Sequence, residues 1–157
     1  PAFYLRVLDR LRQARPDIAF SGDFIVGFPG ETDRDFAETL ALVDKVGYAS
    51  AYSFKYSPRP GTPAAALEEQ VLEDVKADRL ETLQQLLNAQ QLAFNKASEG
   101  QVMDVLIERR GGRPGQVAGR SPYMQAVNLE AGEDLVGSII SCRVTEARQN
   151  SVVGAVA

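Results

Sequence analysis

The sequence predicts an α/β segment followed by a small all-β domain. Helix-like and strand-like patterns alternate up to about residue 97, and after Gly100 short strand candidates follow one another between glycine- and asparagine-rich turns. Hydrophobic residues make up 45% and charged residues 24% of the 157 positions, as is normal for a soluble globular protein. No apolar run approaches the roughly 18 residues that a membrane-spanning helix needs.

The first helix and strand follow from the spacing of apolar residues. Leu5, Leu8 and Leu11 lie at helical spacing among arginines, which predicts an amphipathic helix over residues 3–14. Residues 18–28 are rich in Ile, Val and Phe, which predicts a buried strand.

A second helix and strand repeat this order. Thr32 followed by Asp35 resembles a capping box, and the helix that it begins is expected to continue to Val46 and stop at Gly47. Residues 48–56 alternate aromatic with small or polar side chains, as a strand does.

A proline-rich loop separates these elements from a long helix predicted over residues 70–97. The order helix, strand, helix, strand, helix favours βαβ units with a parallel sheet. Because two strands are too few for such a sheet, this part is interpreted as a slice of a larger α/β barrel. Five further strands predict a small β-barrel: 102–108, 116–119, 125–129, 138–145 and 151–156. The predicted domains are residues 1–96 and 97–157.

Two segments at the ends of the predicted strands are candidate ligand-binding sites. Residues 27–32 (Gly-Phe-Pro-Gly-Glu-Thr) lie between a predicted strand and a predicted helix. Their glycines either let the backbone approach a bound ligand closely or simply form a tight turn. Arg59 lies in a proline-framed loop and either binds a carboxylate or phosphate or is simply solvated. The aromatic residues Tyr52, Phe54 and Tyr56 share one strand face, and core packing against a helix is favoured over a base-stacking site.

Composition argues against catalysis by this chain alone. Cys142 is its single cysteine and it has no histidine, so neither a disulfide framework nor an internally ligated zinc or iron–sulfur site is available. Cys142 is expected to be a core thiol. The net charge is −4, and residues 95–157 carry seven basic and seven acidic residues, so an RNA-binding surface has to be a local patch.

The two strand-end segments together resemble a known family. Asp-x-Ile-Val-Gly-Phe-Pro-Gly-Glu-Thr at 23–32 and Tyr-Ser-Phe-x-Tyr-Ser-x-Arg-Pro-Gly-Thr-Pro-Ala at 52–64 are similar to motifs of the radical S-adenosylmethionine (SAM) methylthiotransferases. The β-rich segment resembles the TRAM domain, a small RNA-binding barrel of the OB type that ends these enzymes. The implied fold is the C-terminal portion of a radical SAM (βα) barrel followed by a TRAM barrel.

This resemblance implies a mechanism and a set of cofactors. Family members cleave SAM at a 4Fe-4S cluster held by a Cys-x-x-x-Cys-x-x-Cys motif, and a second 4Fe-4S cluster, held by three cysteines of an N-terminal domain, supports sulfur insertion. None of those six cysteines is present here, so no catalytic or metal-binding residue is assigned, and both cluster domains are expected before Pro1. The resemblance places these cofactor-binding residues beside SAM: Ile25, Val26, Gly27, Phe28, Phe54 and Tyr56. Arg59 is assigned to the substrate- or SAM-side loop.

The resemblance also implies tRNA as a partner in the cytoplasm. Arg109, Arg110, Arg113 and Arg120 are the predicted phosphate-binding residues, and Tyr123 is predicted to stack on a base, the alternative being a solvated loop. Three or four phosphate contacts would give a log–log salt slope of about −2 to −3.

The predicted function is addition of a methylthio group to C2 of N6-isopentenyladenosine beside the anticodon. The alternatives are a threonylcarbamoyladenosine methylthiotransferase and a non-catalytic RNA-binding module, and a ribosomal-protein methylthiotransferase is disfavoured by Arg59-Pro60 before the Gly-Thr. A partial barrel would expose an apolar strand edge, so the chain is also expected to self-associate.

Overall fold

A computed structural model describes residues 2–157. They form two compact units, the first extending to Gln90 and the second covering Gln91–Ala157. The first contains two α-helices, most of a third, a 3-10 helix and two strands, and the second contains five strands, a 3-10 helix and the end of the long helix. No helix between residues 2 and 157 combines the length and the apolar character needed to cross a membrane.

The first unit is built from helices α1 (Ala2–Ala14), α2 (Asp33–Val46) and most of α3 (Glu73–Ala97). Helix α2 begins at the predicted capping box: the Thr32 hydroxyl accepts the Asp35 N–H at 3.2 Å, and the Asp35 carboxylate accepts the Thr32 N–H at 2.9 Å. The hydrogen bonds from Thr32 hold the pKa of Asp35 below its ordinary value. The helix ends at Gly47, whose φ of 64° lies in the left-handed region, so both predicted ends are confirmed.

Strands β1 (Ser21–Val26) and β2 (Ser50–Lys55) pair in parallel, from Ser21 opposite Ser50 to Val26 opposite Lys55. Both are shorter than predicted. β1 stops before Gly27 because the φ of 71° there turns the chain out of the extended conformation. The helices cover one face of this pair, and the buried core is formed by Leu8, Val26, Val43, Val46, Tyr48, Leu83 and Leu87.

The other face of the strand pair is open. Ile25 and Phe54 are opposite each other in register and are 59% and 55% exposed, and Tyr52 is 72% exposed. Packing of the aromatic stripe into a helix-covered core was therefore wrong for Tyr52 and Phe54, because both lie on the face that the helices leave uncovered. Tyr56, beyond the end of β2, is buried.

Helix α3 begins at Glu73, three residues later than predicted. The reason is the conformation of Gln70, whose side-chain amide donates to the carbonyls of Ala64 and Leu67 at 3.2 and 2.9 Å. Those bonds hold Gln70 against a short 3-10 helix at Pro63–Ala66. The acidic residues Glu73 and Asp74 then form the first turn of α3, where negative charge is favourable.

The second unit contains the predicted five-stranded barrel. Its strands are β3 (Val102–Arg110), β4 (Gln116–Arg120), β5 (Ala126–Glu130), β6 (Ile139–Ala147) and β7 (Val152–Val156). They close in the order β3-β4-β5-β7-β6, and all pairs are antiparallel except β5 with β7. Alternate residues point inward, and the barrel core is formed by Met103, Val105, Ile107, Val117, Val127, Leu129, Cys142, Val144 and Val152. Cys142 is thus the predicted core thiol, and burial raises its pKa.

Two glycines of the barrel are required by close packing. A Cβ at Gly119 would overlap the backbone carbonyl of Leu106, and one at Gly154 would overlap the Cys142 sulfur. The strands therefore approach each other at these points as only glycine permits.

The end of α3 is attached to the barrel by buried amides. Asn95 donates to the carbonyls of Arg148 and Gln149 at 2.8 and 3.2 Å, and Gln125 donates to Asn95 Oδ1 at 2.9 Å and to Ser98 Oγ at 3.1 Å. These bonds satisfy polar groups that would otherwise be costly to bury.

Candidate functional site

The two segments singled out in the sequence lie side by side at the carboxyl ends of the parallel strands. The turn at 27–31 follows β1, and Tyr56 follows β2. The Tyr56 N–H donates to the Val26 carbonyl at 2.8 Å, which continues the strand pairing by one residue. The carboxyl ends of parallel strands are where α/β folds bind ligands, so this edge is the candidate site. This strand-end site consists of residues 25–31 and 54–56.

Gly27 is held in place from two directions. Its N–H donates to Glu31 Oε2 at 2.9 Å across the turn. The aliphatic stem of Lys76, from α3, occupies the space that a Cβ at Gly27 would need. Together with the positive φ, this contact explains why glycine is required at the end of β1.

Arg79 of α3 fixes the other end of the turn. Its guanidinium donates to the Glu31 backbone carbonyl at 3.1 Å, to Glu31 Oε1 at 2.9 Å and to Asp33 Oδ1 at 2.7 Å. The Arg79 and Glu31 side chains are largely buried, whereas the Asp33 side chain is exposed. A buried guanidinium that is paired with carboxylates costs much less than an unpaired one, so this ion pair ties α3 to the turn.

Tyr56 lies between the two segments. The Phe28 ring meets its ring edge-on at 5.2 Å between centroids, and Lys76 Nζ lies over the same ring at 5.6 Å from its centroid. Within residues 2–157 the buried Tyr56 hydroxyl has no hydrogen-bond partner. An orphaned buried hydroxyl at a strand end is a polar group to which a bound molecule can hydrogen-bond.

The predicted cofactor-binding residues divide between two faces. Ile25 and Phe54 lie together on the open face, and Phe28 is half exposed beside Tyr56. The Val26 side chain points into the helix-covered core, so only its backbone lies at the site. Four of the six side chains therefore surround one apolar edge: Ile25, Phe28, Phe54 and Tyr56.

The proline-rich loop after β2 carries Arg59. Its side chain is exposed, and its carbonyl accepts the Thr62 N–H at 3.1 Å and the Thr62 hydroxyl at 2.8 Å, which shapes the loop. Nearby, a groove of about 370 Å³ runs beside β2 and is lined in part by Ser53, Lys55 and Glu73. Lys55 and Glu73 form an ion pair there, and its hydrogen bond lowers the pKa of Glu73.

Three of the predicted RNA-binding arginines lie together around the β3–β4 hairpin. Arg109 and Arg110 end β3, Arg113 lies in the connection, and all three are exposed. Arg110 pairs with Glu133 at 2.8 Å on the surface. Exposed ion pairs of this kind are weak, so Arg110 can exchange its partner at small cost.

Arg120 and Tyr123 lie at the other end of β4. Arg120 pairs with Glu108 at 3.4 Å and donates to the Met124 carbonyl at 3.1 Å. Tyr123 is half-buried and packs edge-on against Phe94 at 5.7 Å between ring centroids. The exposed side chain of Met124, at a φ of 63°, projects from the same turn. The structure thus divides the predicted RNA-binding residues between two ends of one strand.

Lys76 and Arg79 are the residues of the strand-end site that the sequence interpretation missed. Helix α3 presents an apolar stripe at Leu80, Leu83 and Leu87, and the two cations continue that stripe toward the helix start. Charged residues are rarely buried without a partner, so two cations on the apolar stripe of a helix were the sequence feature that could have indicated their role. Gly27 and Glu31, which these two side chains contact, lie more than forty residues away in sequence, so the spacing alone could not identify the pair.

Among residues 2–157, no three His, Cys, Asp or Glu side chains group so that they could hold a metal ion.

The sequence is similar to known proteins in both units. The family model described as "TRAM domain" matches residues 96–157. Over 154 residues, 98% of this chain, the sequence is 56% identical to a protein of Agrobacterium fabrum (strain C58 / ATCC 33970) named tRNA-2-methylthio-N(6)-dimethylallyladenosine synthase. The chain spans 34% of that relative's length. The chain thus carries a TRAM domain, and its predicted resemblance to the tRNA methylthiotransferases is confirmed along nearly all of its length.

Proposed function

We propose that this chain is part of a tRNA methylthiotransferase and contributes the final strands of a radical SAM barrel and the TRAM domain. The observation that carries the proposal is the juxtaposition of the two strand-end segments, in a chain 56% identical to a protein named as such a synthase. Because the chain spans 34% of that relative, the activity requires further polypeptide, and the chain alone is inactive under this proposal.

The first unit has the form expected for a slice of a (βα) barrel. Its two strands are parallel, helices cover one face, and the opposite face is open and partly apolar. In a closed barrel that open face would line the interior. We place the division between barrel portion and TRAM domain at residues 1–96 and 97–157.

The residues at the strand ends fit SAM. Ile25 and Phe54 form a contiguous apolar surface on which an adenine can lie, and the Tyr56 hydroxyl is a buried hydrogen-bonding group without a partner in the described chain. Gly27 lets the Lys76 stem pack directly on the backbone at the end of β1, and Val26 contributes only main-chain atoms to the site. Phe28 closes the edge beside Tyr56.

The chemistry of the reaction is assigned to groups outside this chain. SAM and two 4Fe-4S clusters would supply radical formation, sulfur insertion and the methyl group. Cluster ligands would come from the remaining polypeptide, since Cys142 lies inside the β-barrel. The role of this chain is to bind and orient: the strand-end site holds SAM, and Arg59 faces the SAM or substrate side.

The TRAM domain binds the tRNA under this proposal. Arg109, Arg110 and Arg113 offer three cations at one hairpin, and Arg120 offers a fourth at the other end of β4. Their contribution is local attraction for phosphate, as the net charge of the whole chain is −4. Tyr123, which is partly exposed, would stack on a base through its ring face. The enzyme would act in the cytoplasm.

The proposed substrate is N6-isopentenyladenosine. The relative's name specifies N(6)-dimethylallyladenosine, which is the same nucleoside, because the dimethylallyl group is the isopentenyl substituent. The rival is the methylthiotransferase that acts on threonylcarbamoyladenosine.

Nucleoside mass spectrometry of tRNA from a strain deleted for the complete gene tests this proposal. The expected result is loss of the 2-methylthio group with accumulation of N6-isopentenyladenosine, restored by the wild-type gene. Loss of the methylthio group from threonylcarbamoyladenosine would identify the rival enzyme. An unchanged nucleoside profile would leave the TRAM domain as a non-catalytic RNA-binding module and would refute the proposal.

A further inference from the structure

Helix α3 provides the strand-end site with two cations that are less than 10% exposed. Lys76 and Arg79 lie one helical turn apart. Lys76 contacts Gly27 and Tyr56 at the carboxyl ends of β1 and β2, and Arg79 contacts Glu31 in the turn that follows β1. Neither lies on the open face beside Ile25 and Phe54. Their contacts are with the groups that shape the site.

Arg79 acts on Gly27 through Glu31. One Glu31 carboxylate oxygen accepts from Arg79 at 2.9 Å, and the other accepts the Gly27 N–H at 2.9 Å. A carboxylate oriented by a buried guanidinium keeps this second bond in one geometry. The chain of contacts therefore runs from α3 through Glu31 to the backbone at the end of β1.

Lys76 acts on both strands at once. Its stem packs on Gly27, and its ammonium lies over the ring of Tyr56. The backbone of the same turn is also held by the segment before α3, because the Gly30 N–H donates to the Glu69 carbonyl at 2.8 Å. The turn at 27–31 and Tyr56 are thus fixed relative to each other by residues 69–79.

We propose that Lys76 and Arg79 are positioning residues of the strand-end site, which set its affinity for SAM through Gly27, Glu31 and Tyr56 without contacting SAM. This inference rests on the proposed function, since it takes the ligand of the site to be SAM. It assigns to α3 a role beyond packing. The contacts from Arg79 through Glu31 to the Gly27 N–H are called the relay. Breaking them should weaken SAM binding and raise KM for SAM more than it lowers kcat.

The test is a double-mutant cycle in the complete gene product loaded with its clusters. SAM dissociation constants are measured by equilibrium dialysis for wild type, Arg79→Gln, Glu31→Gln and the double variant. Each single variant is expected to weaken SAM binding about tenfold, and the double variant no further, because both substitutions break one relay. Arg34→Gln is the matched control: it removes an exposed Arg–Glu pair on α2 and should leave the constant unchanged.

Two further variants keep the test decisive if Arg79→Gln does not fold. Arg79→Lys retains a buried cation but not the forked donors, and it should weaken SAM binding in the same way. Lys76→Met retains the stem on Gly27, so it should bind SAM more tightly than Lys76→Ala.

The outcomes separate this inference from the function on which it rests. If wild type binds SAM and the folded Arg79→Lys and Glu31→Gln variants bind it equally well, the positioning role is refuted. Additive losses in the double variant would refute the relay through Glu31. If the wild-type protein with its clusters does not bind SAM, the proposed function itself fails.

Discussion

The two units of this chain bury their strands in different ways. The barrel of residues 91–157 closes on itself, and its inward side chains form a core from all five strands. The strand pair β1–β2 has helices on one face only, and its other face leaves Ile25, Tyr52 and Phe54 exposed. A closed barrel meets its own need for burial, whereas a strand pair with an open apolar face needs something else to cover it. The first unit is accordingly where a ligand and further polypeptide are expected, and the second is a complete small domain.

The largest expected effect is on the stability of the closed barrel. In Gly119→Val the new side chain would overlap the Leu106 carbonyl, so the barrel should lose at least about 3 kcal/mol of unfolding free energy. Chemical denaturation followed by circular dichroism measures this loss. Gly112→Ala is the control, because that glycine has open space around it and an ordinary φ. Equal denaturation midpoints for Gly119→Val and wild type would show that the close strand approach is not needed.

The next effect concerns the open face. We predict that the 157-residue chain self-associates through this face and that Phe54→Ser lowers the association constant at least tenfold, because a buried Phe contributes about 1.5–3 kcal/mol. Light scattering over a concentration series measures the constant. Met124→Ser removes from the second unit an apolar side chain that is 67% exposed, against 55% for Phe54, and should leave the association constant unchanged. A monomer at all concentrations would contradict the prediction.

A smaller effect is expected at the start of α2. Thr32→Ala removes the capping bond and should cost about 1 kcal/mol near neutral pH. Since the hydrogen bonds from Thr32 lower the folded-state pKa of Asp35 below 3.8, the stability linked to this carboxylate is present above that pH and is lost as the pH falls through the folded pKa. The difference between variant and wild type in thermal unfolding should therefore shrink in acid. A difference that does not vary with pH would mean that Asp35 contributes nothing to the cap.

The smallest effect is on RNA affinity. Arg113→Gln should weaken tRNA binding modestly and reduce the magnitude of the slope of log K against log salt by about 0.7–0.9, the range for one lost phosphate contact. Filter binding at several salt concentrations gives the slope. Arg148, which pairs with Glu146 on another strand, is the control position. If Arg113→Gln and Arg148→Gln give the same slope as wild type, the hairpin is not the phosphate-binding patch.

The sequence predicted what local patterns determine. Apolar composition, alternation and turn residues predicted seven strands, which residues 2–157 contain, and the pair Thr32 and Asp35 located the start of α2. The ends of elements were less well predicted. Gly27 ends β1 by its backbone conformation, and Gln70 delays the start of helix α3 by bonding to the loop. The face on which Phe54 lies was missed for another reason: alternation shows that residues share a face, and only the packed helices decide which face is covered.

The strand-end site was predicted in part. The glycine turn and Tyr56 were recognisable because they belong to contiguous motifs. Lys76 and Arg79 were not, since their contacts with Gly27 and Glu31 exist only after α3 folds back onto the strands. Local motifs therefore identified the lining of the site, and the tertiary structure was needed to identify what holds it.

The central claim is that SAM binds the open strand pair and tRNA binds the closed barrel. Hydrogen–deuterium exchange of the complete gene product, with and without each of these two ligands, tests it most directly. SAM should slow exchange in peptides covering residues 25–31 and 54–58 and leave the barrel unchanged, while tRNA should slow exchange in residues 108–123. That result would assign SAM to the open strand pair and RNA to the closed barrel. Protection of the barrel by SAM, with no change at residues 25–31, would contradict the account.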